Sequence, residues 1–170
     1  MPSARLTLEP QVQAHAEAMF AILSDPAIYT YENEPPVSLE WLRERFARLA
    51  SRRSPDGREQ WLNWVIRLPS GELAGFVQAT VSSEAEATIA YVLHSAHWGC
   101  GLASEAVQAM ILELAHAHGV GRLVAVFKQQ NHRSRSLLER LGFLFASPAL
   151  HTEHQVEPDE QLMTRALPSS

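Results

Sequence analysis

At Gln60 the hydrophobic period of the chain changes from helical to two, and three strand-like runs follow with only short turns between them. Trp61 to Leu68 and Ala74 to Val81 are joined by Pro69-Ser70-Gly71-Glu72, a hairpin-turn composition. Ser82-Ser83-Glu84 then leads into Ala87 to Leu93. Strands joined this closely must run antiparallel, because a parallel pair needs a crossover of a dozen or more residues. The stretch therefore predicts a meander and excludes βαβ units at this point.

The flanks supply helices. Arg5 to Leu8 reads as a short first strand, and Val12, Ala16, Met19, Phe20 and Leu23 then recur at helical spacing until Pro26. Ala27 to Val37 reads as a loop. Ser38 is a good N-cap for a second helix whose face is Leu39, Leu42, Phe46 and Leu49. Beyond the meander, a helix from about Leu102 to His118 presents Ala103, Ala106, Val107, Met110, Leu114 and Ala117 to the core, and Gly119 closes it. Arg122 to Phe127 reads as a buried strand and Asn131 to Leu141 as a short helix. Phe143 to Leu150 and Glu160 to Leu167 read as two closing strands. The expectation is a single α+β domain over residues 1–170, with a short flexible tail from about 168.

Composition narrows the function. A net charge of -5 argues against sequence-independent nucleic-acid binding, which relies on basic surface. The lone cysteine, Cys100, rules out an internal disulfide and a Cys-based zinc cluster, and suits a reducing compartment. The beginning of the sequence lacks the apolar run of a signal peptide. The longest stretch without Asp, Glu, Lys or Arg, Ala87 to Ser104, holds His94, His97, Gly99 and Gly101 and is a poor membrane span. A soluble, cytoplasmic protein without a membrane partner is expected.

The segment most informative about chemistry runs from Tyr91 to Ala106, where a strand, a glycine turn and a helix start follow at once. The first N–H groups of a helix are unpaired and lie at its positive end, so such a turn can cradle an anion. Gly99 and Gly101 allow close backbone approach. A dinucleotide-binding fingerprint is the rival reading, but the third Gly or Ala is lacking, Ser104 standing there, and no acidic residue ends the next strand.

Downstream, Asn131-His132-Arg133-Ser134 is followed by Leu137-Leu138-Glu139-Arg140-Leu141-Gly142-Phe143. Together the two segments resemble the GNAT superfamily of acyl-CoA-dependent N-acetyltransferases. Trp98-Gly99-Cys100-Gly101-Leu102-Ala103 fits its pyrophosphate-loop pattern with Trp in the first place, as is similar to the branch of ribosomal-protein N-terminal acetyltransferases. The resemblance implies a mixed, mostly antiparallel central sheet with helices on both faces. It also implies acetyl-CoA as cosubstrate and an amine as acceptor, with a homodimer as a common family form. Pantetheine would pair with backbone at Val92 and Leu93. Pyrophosphate would meet N–H groups of Trp98, Gly99, Cys100, Gly101, Leu102 and Ala103, and Asn131 and Ser134 would face the same arm. Lys128, Arg133 and Arg135 are open to an adenosine phosphate or to plain solvation.

In direct transfer a neutral amine attacks the thioester carbonyl, and an acid protonates the departing thiolate. Backbone N–H at Val92 or Leu93 is the expected oxyanion donor. Family members often place a tyrosine seven residues after the asparagine as the acid. Here that residue is Leu138, and Ser134 is the expected substitute. Glu86 heads the expected bases, with Glu84, Glu32, Glu34 and a water relay as alternatives. Asp25, Glu32 and Glu34 near the acceptor loop favour a cationic acceptor. Cys100 sits at an unconstrained position of the pattern, so covalent catalysis is not expected, and no metal site is expected at His94 and His97. A non-catalytic acyl-CoA-binding domain is the competing reading.

Overall fold

A computed structural model describes residues 5–31 and 33–168. Its strands are β1 (Thr7–Pro10), β2 (Gln60–Arg67), β3 (Leu73–Val81), β4 (Glu86–Leu93), β5 (Arg122–Lys128), β6 (Leu144–Phe145) and β7 (Glu160–Ala166). The helices are α1 (Ala16–Leu23), α2 (Leu39–Leu49), α3 (Leu102–Ala117), α4 (His132–Arg140) and α5 (Pro148–Glu153). All the strands join one sheet in the order β1-β2-β3-β4-β5-β7-β6. Every neighbouring pair is antiparallel except β4 and β5. This is the mixed α+β architecture expected, meander included.

Alternation along the central strands sends their side chains into two cores. Trp64, Ile66, Val77 and Ala79 belong to the layer that contains Val107, Met110 and Leu114 of α3 and Leu138 of α4. Val65 and Leu73 pack with Met19 of α1 and with Leu42 and Phe46 of α2, and Phe76 and Val92 lie against that layer. Helices therefore cover both faces. Ser38 caps α2 as expected, its Oγ accepting the Trp41 N–H at 3.0 Å. Gly119 has φ 61° beyond the end of α3, and the Val120 N–H returns to the Leu114 carbonyl at 3.2 Å.

Three local expectations need correction. The first strand lies two residues later than Arg5 to Leu8, and Arg5 instead donates from its side chain to the Cys100 carbonyl at 2.8 Å. Phe143 to Leu150 is not one strand: only Leu144–Phe145 pairs with β7, and the chain then turns into α5. Ser147-Pro148 causes the change, since proline suits a first helical turn and the Ser147 Oγ accepts the Leu150 N–H at 3.2 Å. On α3, Ala117 is exposed while Leu102, Ala109 and Ile111 are buried, because the last turn projects past the sheet. Of the expected tail, Pro168 lies outside regular structure and residues 169–170 fall outside the described residues.

One irregularity of pairing shapes the site. β4 pairs with β3 from Ala87 to Leu93, yet with β5 only at Glu86, Ala87 and Thr88. Past Thr88 and Val124 the two parallel strands separate, and a gap opens on that side of β4.

Candidate functional site

The separation leaves backbone groups of β4 facing the gap. Leu93 pairs with Gly75, and the His94 N–H donates to the Ala74 carbonyl at 2.9 Å. In an antiparallel ladder this makes Gly75 and Leu93 a non-hydrogen-bonded pair, so the N–H groups of Tyr91 and Leu93 point away from β3, toward the gap. Val92 turns its N–H to β3 instead. The Leu93 carbonyl is taken by the Trp98 indole N–H at 2.8 Å, which ties the end of β4 to the following turn. That turn runs through a 3-10 turn at Ser95–His97 into Gly99 and Gly101, with φ 79° and 80°. No side chain caps α3, so the N–H groups of Leu102, Ala103 and Ser104 stay unpaired by capping.

Across the gap stands the start of α4. The Asn131 Oδ1 caps it by accepting the Ser134 N–H at 3.2 Å. Asn131, Arg133, Ser134 and Leu137 line a cleft of about 260 Å³ with Tyr91, Val92, Leu93, Trp98 and Ala103. Ala27, Ile28, Thr30 and Tyr31 from the segment after α1 also line it. The Arg133 guanidinium lies 3.7 Å from the centre of the Trp98 ring and has no carboxylate partner among the described residues. The Tyr91 hydroxyl lies near Ser134; burial pushes its pKa up to about 12 while the serine acts in the opposite sense. Leu138 lies 1% exposed in the core and does not line the cleft.

On the other face of the sheet a second hollow, of about 370 Å³, is lined by residues that include Tyr29, Glu34, Trp41, Arg45, Phe46, Phe76 and Val92. Val92 lines both hollows. Asp25 lines neither. Its Oδ2 accepts the Ser95 N–H at 2.9 Å and its Oδ1 the Ala27 N–H at 3.1 Å. It therefore ties the acceptor loop to the glycine turn, and the Ser95 hydrogen bonds, with lesser help from Ala27 and His94, hold its pKa below the ordinary value. A depressed carboxylate stabilises the fold above its unfolded pKa of about 3.9, and that contribution is lost as pH falls through the folded value. Asp25→Asn is expected to cost about 1.5–3 kcal/mol at neutral pH, the range of a hydrogen bond to a charged group. In urea unfolding across pH, the gap between variant and parent should close below about pH 3.9; a constant gap would count against this role.

The remaining candidates divide plainly. Val92, Leu93, Trp98 and Ala103 reach the cleft with Asn131 and Ser134, while Gly99, Cys100, Gly101 and Leu102 form the turn and helix start behind it. Glu86 is a correction. It opens β4 at the opposite end from Leu93, where the register places it against Arg122 of β5. The Arg122 Nε donates to its Oε2 at 2.7 Å and His154 Nε2 lies 3.0 Å from its Oε1. Seven residues of strand, about 23 Å at 3.3 Å per residue, separate it from Leu93. Glu84 sits in the turn beside it, and Glu32 falls outside the described residues. Arg135 pairs with Glu139 and Lys128 with Asp159, so both serve local ion pairs. The His94 Nδ1 accepts the Ala96 N–H, and no group of three or more potential metal ligands occurs among the described residues. The Cys100 thiol is exposed and donates to the His97 carbonyl at 3.1 Å. Tyr91 is the residue that the sequence reading missed. Its alternation on β4 was visible, but only the fold brings its hydroxyl to Ser134.

The site fits an acyl-CoA by observation: an open strand edge, a cleft, and an uncapped helix start at its end. Comparison with known proteins agrees. Residues 5–144 match the Acetyltransferase (GNAT) domain family. The chain is 27% identical over 142 residues to the Uncharacterized N-acetyltransferase YoaA of Bacillus subtilis (strain 168), covering 82% of this chain and 79% of that protein. It superposes on RimL, the ribosomal L7/L12 alpha-N-protein acetyltransferase in complex with coenzyme A, with TM-score 0.80 and 20% identity. That match covers 97% of this chain and 96% of the other. The ribosomal-protein-S5-alanine acetyltransferase of Vibrio fischeri gives TM-score 0.79 at 15% identity, covering 98% of this chain and 95% of the other. Among the described residues no helix is long and apolar enough to cross a membrane.

Proposed function

Since this chain belongs to the GNAT acetyltransferase family, we propose that it transfers an acetyl group from acetyl-CoA directly to the primary amine of a small molecule or of a peptide or protein N-terminus. The observation that carries the reading is the join of an open β4 edge to an uncapped α3. One cleft thereby offers N–H donors both for a thioester arm and for phosphate.

Acetyl-CoA supplies an activated carbonyl whose oxygen gains charge when an amine attacks. The Leu93 N–H, facing the gap, is the donor placed to stabilise that charge. The edge of β4 at Tyr91 and Leu93 holds the acyl arm in line, and the N–H groups from Trp98 to Ala103 receive the pyrophosphate. Trp98 keeps these two parts in register, because its indole bridges the Leu93 carbonyl and its ring carries Arg133. Arg133 brings positive charge to the phosphate end. Ser134, backed by Tyr91, delivers the proton to the departing sulfur. Glu86 is displaced and no carboxylate among the described residues lines the cleft, so proton removal from the amine falls to water, with Glu34 on the lining of the adjoining hollow as the remaining carboxylate candidate.

Calorimetry and thiol release test the reading together. Acetyl-CoA is expected to bind, and an amine panel should raise CoA release above thioester hydrolysis. Binding without any amine-stimulated release would replace the enzyme with a binding module. Absence of binding would sink the proposal.

A further inference from the structure

We propose that the hollow behind Val92 reads an amide group of the acceptor, so that the acetylated amine belongs to an α-amino amide; this rests on the acetyltransferase reading above. The floor of the hollow carries Gln11, Asn63 and Gln78. They form one cross-strand row: the Gln11 N–H donates to the Asn63 carbonyl at 2.9 Å, and Asn63 pairs with Gln78. Gln11 is only 7% exposed, and none of the side-chain amides of this row has a hydrogen-bond partner among the described residues. Asn63 and Gln78 are half-buried, so a row of amides that lines a substrate-sized hollow and bonds to nothing else among the described residues is a row of sites open to a ligand.

The chemistry of that ligand follows from the chemistry of the row. Each carboxamide has N–H donors and a carbonyl acceptor. A carboxylate would satisfy only the donors, an ammonium only the acceptors, and an alkyl group neither. An amide satisfies both. The floor is also neutral, for the carboxylate and guanidinium of the lining, Glu34 and Arg45, are both exposed at the rim. The expectation of a cationic acceptor leaned on Asp25, Glu32 and Glu34; Asp25 is tied to Ser95, Glu32 lies outside the described residues, and Glu34 is an exposed residue of this lining.

Position agrees with recognition. Val92 pairs with Phe76, and Gln78 lies two residues farther along β3, about 7 Å away at 3.4 Å per residue. One amino-acid unit of about 3.5 Å and the reach of a glutamine side chain bridge that span. With its amine at Val92, the acceptor's nitrogen forms the new bond to the acetyl carbon as the carbon–sulfur bond breaks. The nitrogen gives its proton to water, and the sulfur takes one as it leaves as thiol.

The test compares alaninamide, alanine, isopropylamine and tri-alanine as acceptors, read by thiol release, with acetyl-CoA affinity measured beside them. Alaninamide should exceed isopropylamine and alanine in kcat/KM by at least about tenfold, the worth of one or more hydrogen bonds. Gln11→Leu, or Gln78→Leu should the first fail to fold, should erase that preference through KM while acetyl-CoA affinity holds. Tri-alanine above alaninamide would assign the amide to a peptide; the reverse order would assign it to a small molecule. Isopropylamine turned over as well as alaninamide would overturn this inference and leave the acetyltransferase intact. Acetyl-CoA binding with no turnover of alaninamide or tri-alanine would overturn it too, whereas loss of acetyl-CoA binding would fell the underlying reading.

Discussion

Gly75→Ala is expected to lower stability by about 3 kcal/mol or more, the upper range for overpacking a filled interior. A Cβ at this position would stand 2.0 Å from the Val92 carbonyl oxygen and 2.9 Å from the Leu93 Cα. Both obstacles are backbone of a central strand, so no side chain can swing aside. The cause is register: Gly75 faces Leu93 in the closer type of antiparallel pair, beside an irregularity where Ile66 and Arg67 skip Ala74. Relief would require β3 and β4 to move apart where Leu93 offers its N–H. The urea midpoint should therefore fall, and acetyl-CoA affinity should fall with it. Gly71→Ala is the control. Gly71 has φ 89° but nothing within 4 Å of its would-be Cβ, so it should lose only about 1–2 kcal/mol for a left-handed residue, at most two thirds of the Gly75 effect. Equal losses at the two glycines would refute the close pairing.

Ser134→Ala is expected to reduce kcat by about 100-fold, the lower range for losing a positioned proton donor, with little change in acetyl-CoA affinity. The serine is not alone. Tyr91 stands half-buried beside it, and a phenol held at about 12 stays protonated throughout the neutral range. Tyr91→Phe should thus lower kcat as well, and the double variant should cost far less than the product of the two single losses, because both hydroxyls serve one path. Losses that multiply would show two independent roles. Neither variant should alter the cap of α4, since Asn131 accepts from the Ser134 backbone N–H and not from its hydroxyl.

The two predictions mark the limits of what a one-dimensional reading could see. The place of Ser134 was legible, because it and Asn131 belong to one helix start, whereas its acid role came from the family resemblance. Gly75 was not singled out, since its need for hydrogen at Cα comes from Val92, seventeen residues away across a turn. Glu86 misled for a related reason. It lies on the strand that reaches the site, but strand length put it at the opposite end and register gave it Arg122 and His154. Tyr91 was passed over because the helix position usual for a tyrosine is filled by the buried Leu138. The hydroxyl comes instead from the strand.

What the sequence determined by itself is the set of elements and the chemistry of their ends. Alternation from Gln60 to Leu93 specified a meander, Ser38 and Gly119 bounded helices, and the Gly99–Gly101 turn marked the start of α3. These signals act within a few residues, so they are written where they act. What only the tertiary structure decided is how distant strands align and where they part. The parting of β4 from β5 after Thr88 frees the Leu93 N–H, and the alignment of β1, β2 and β3 sets Gln11, Asn63 and Gln78 in one row. Register depends on pairing between segments far apart in the chain, and a one-residue slip would turn each of those side chains to the other face.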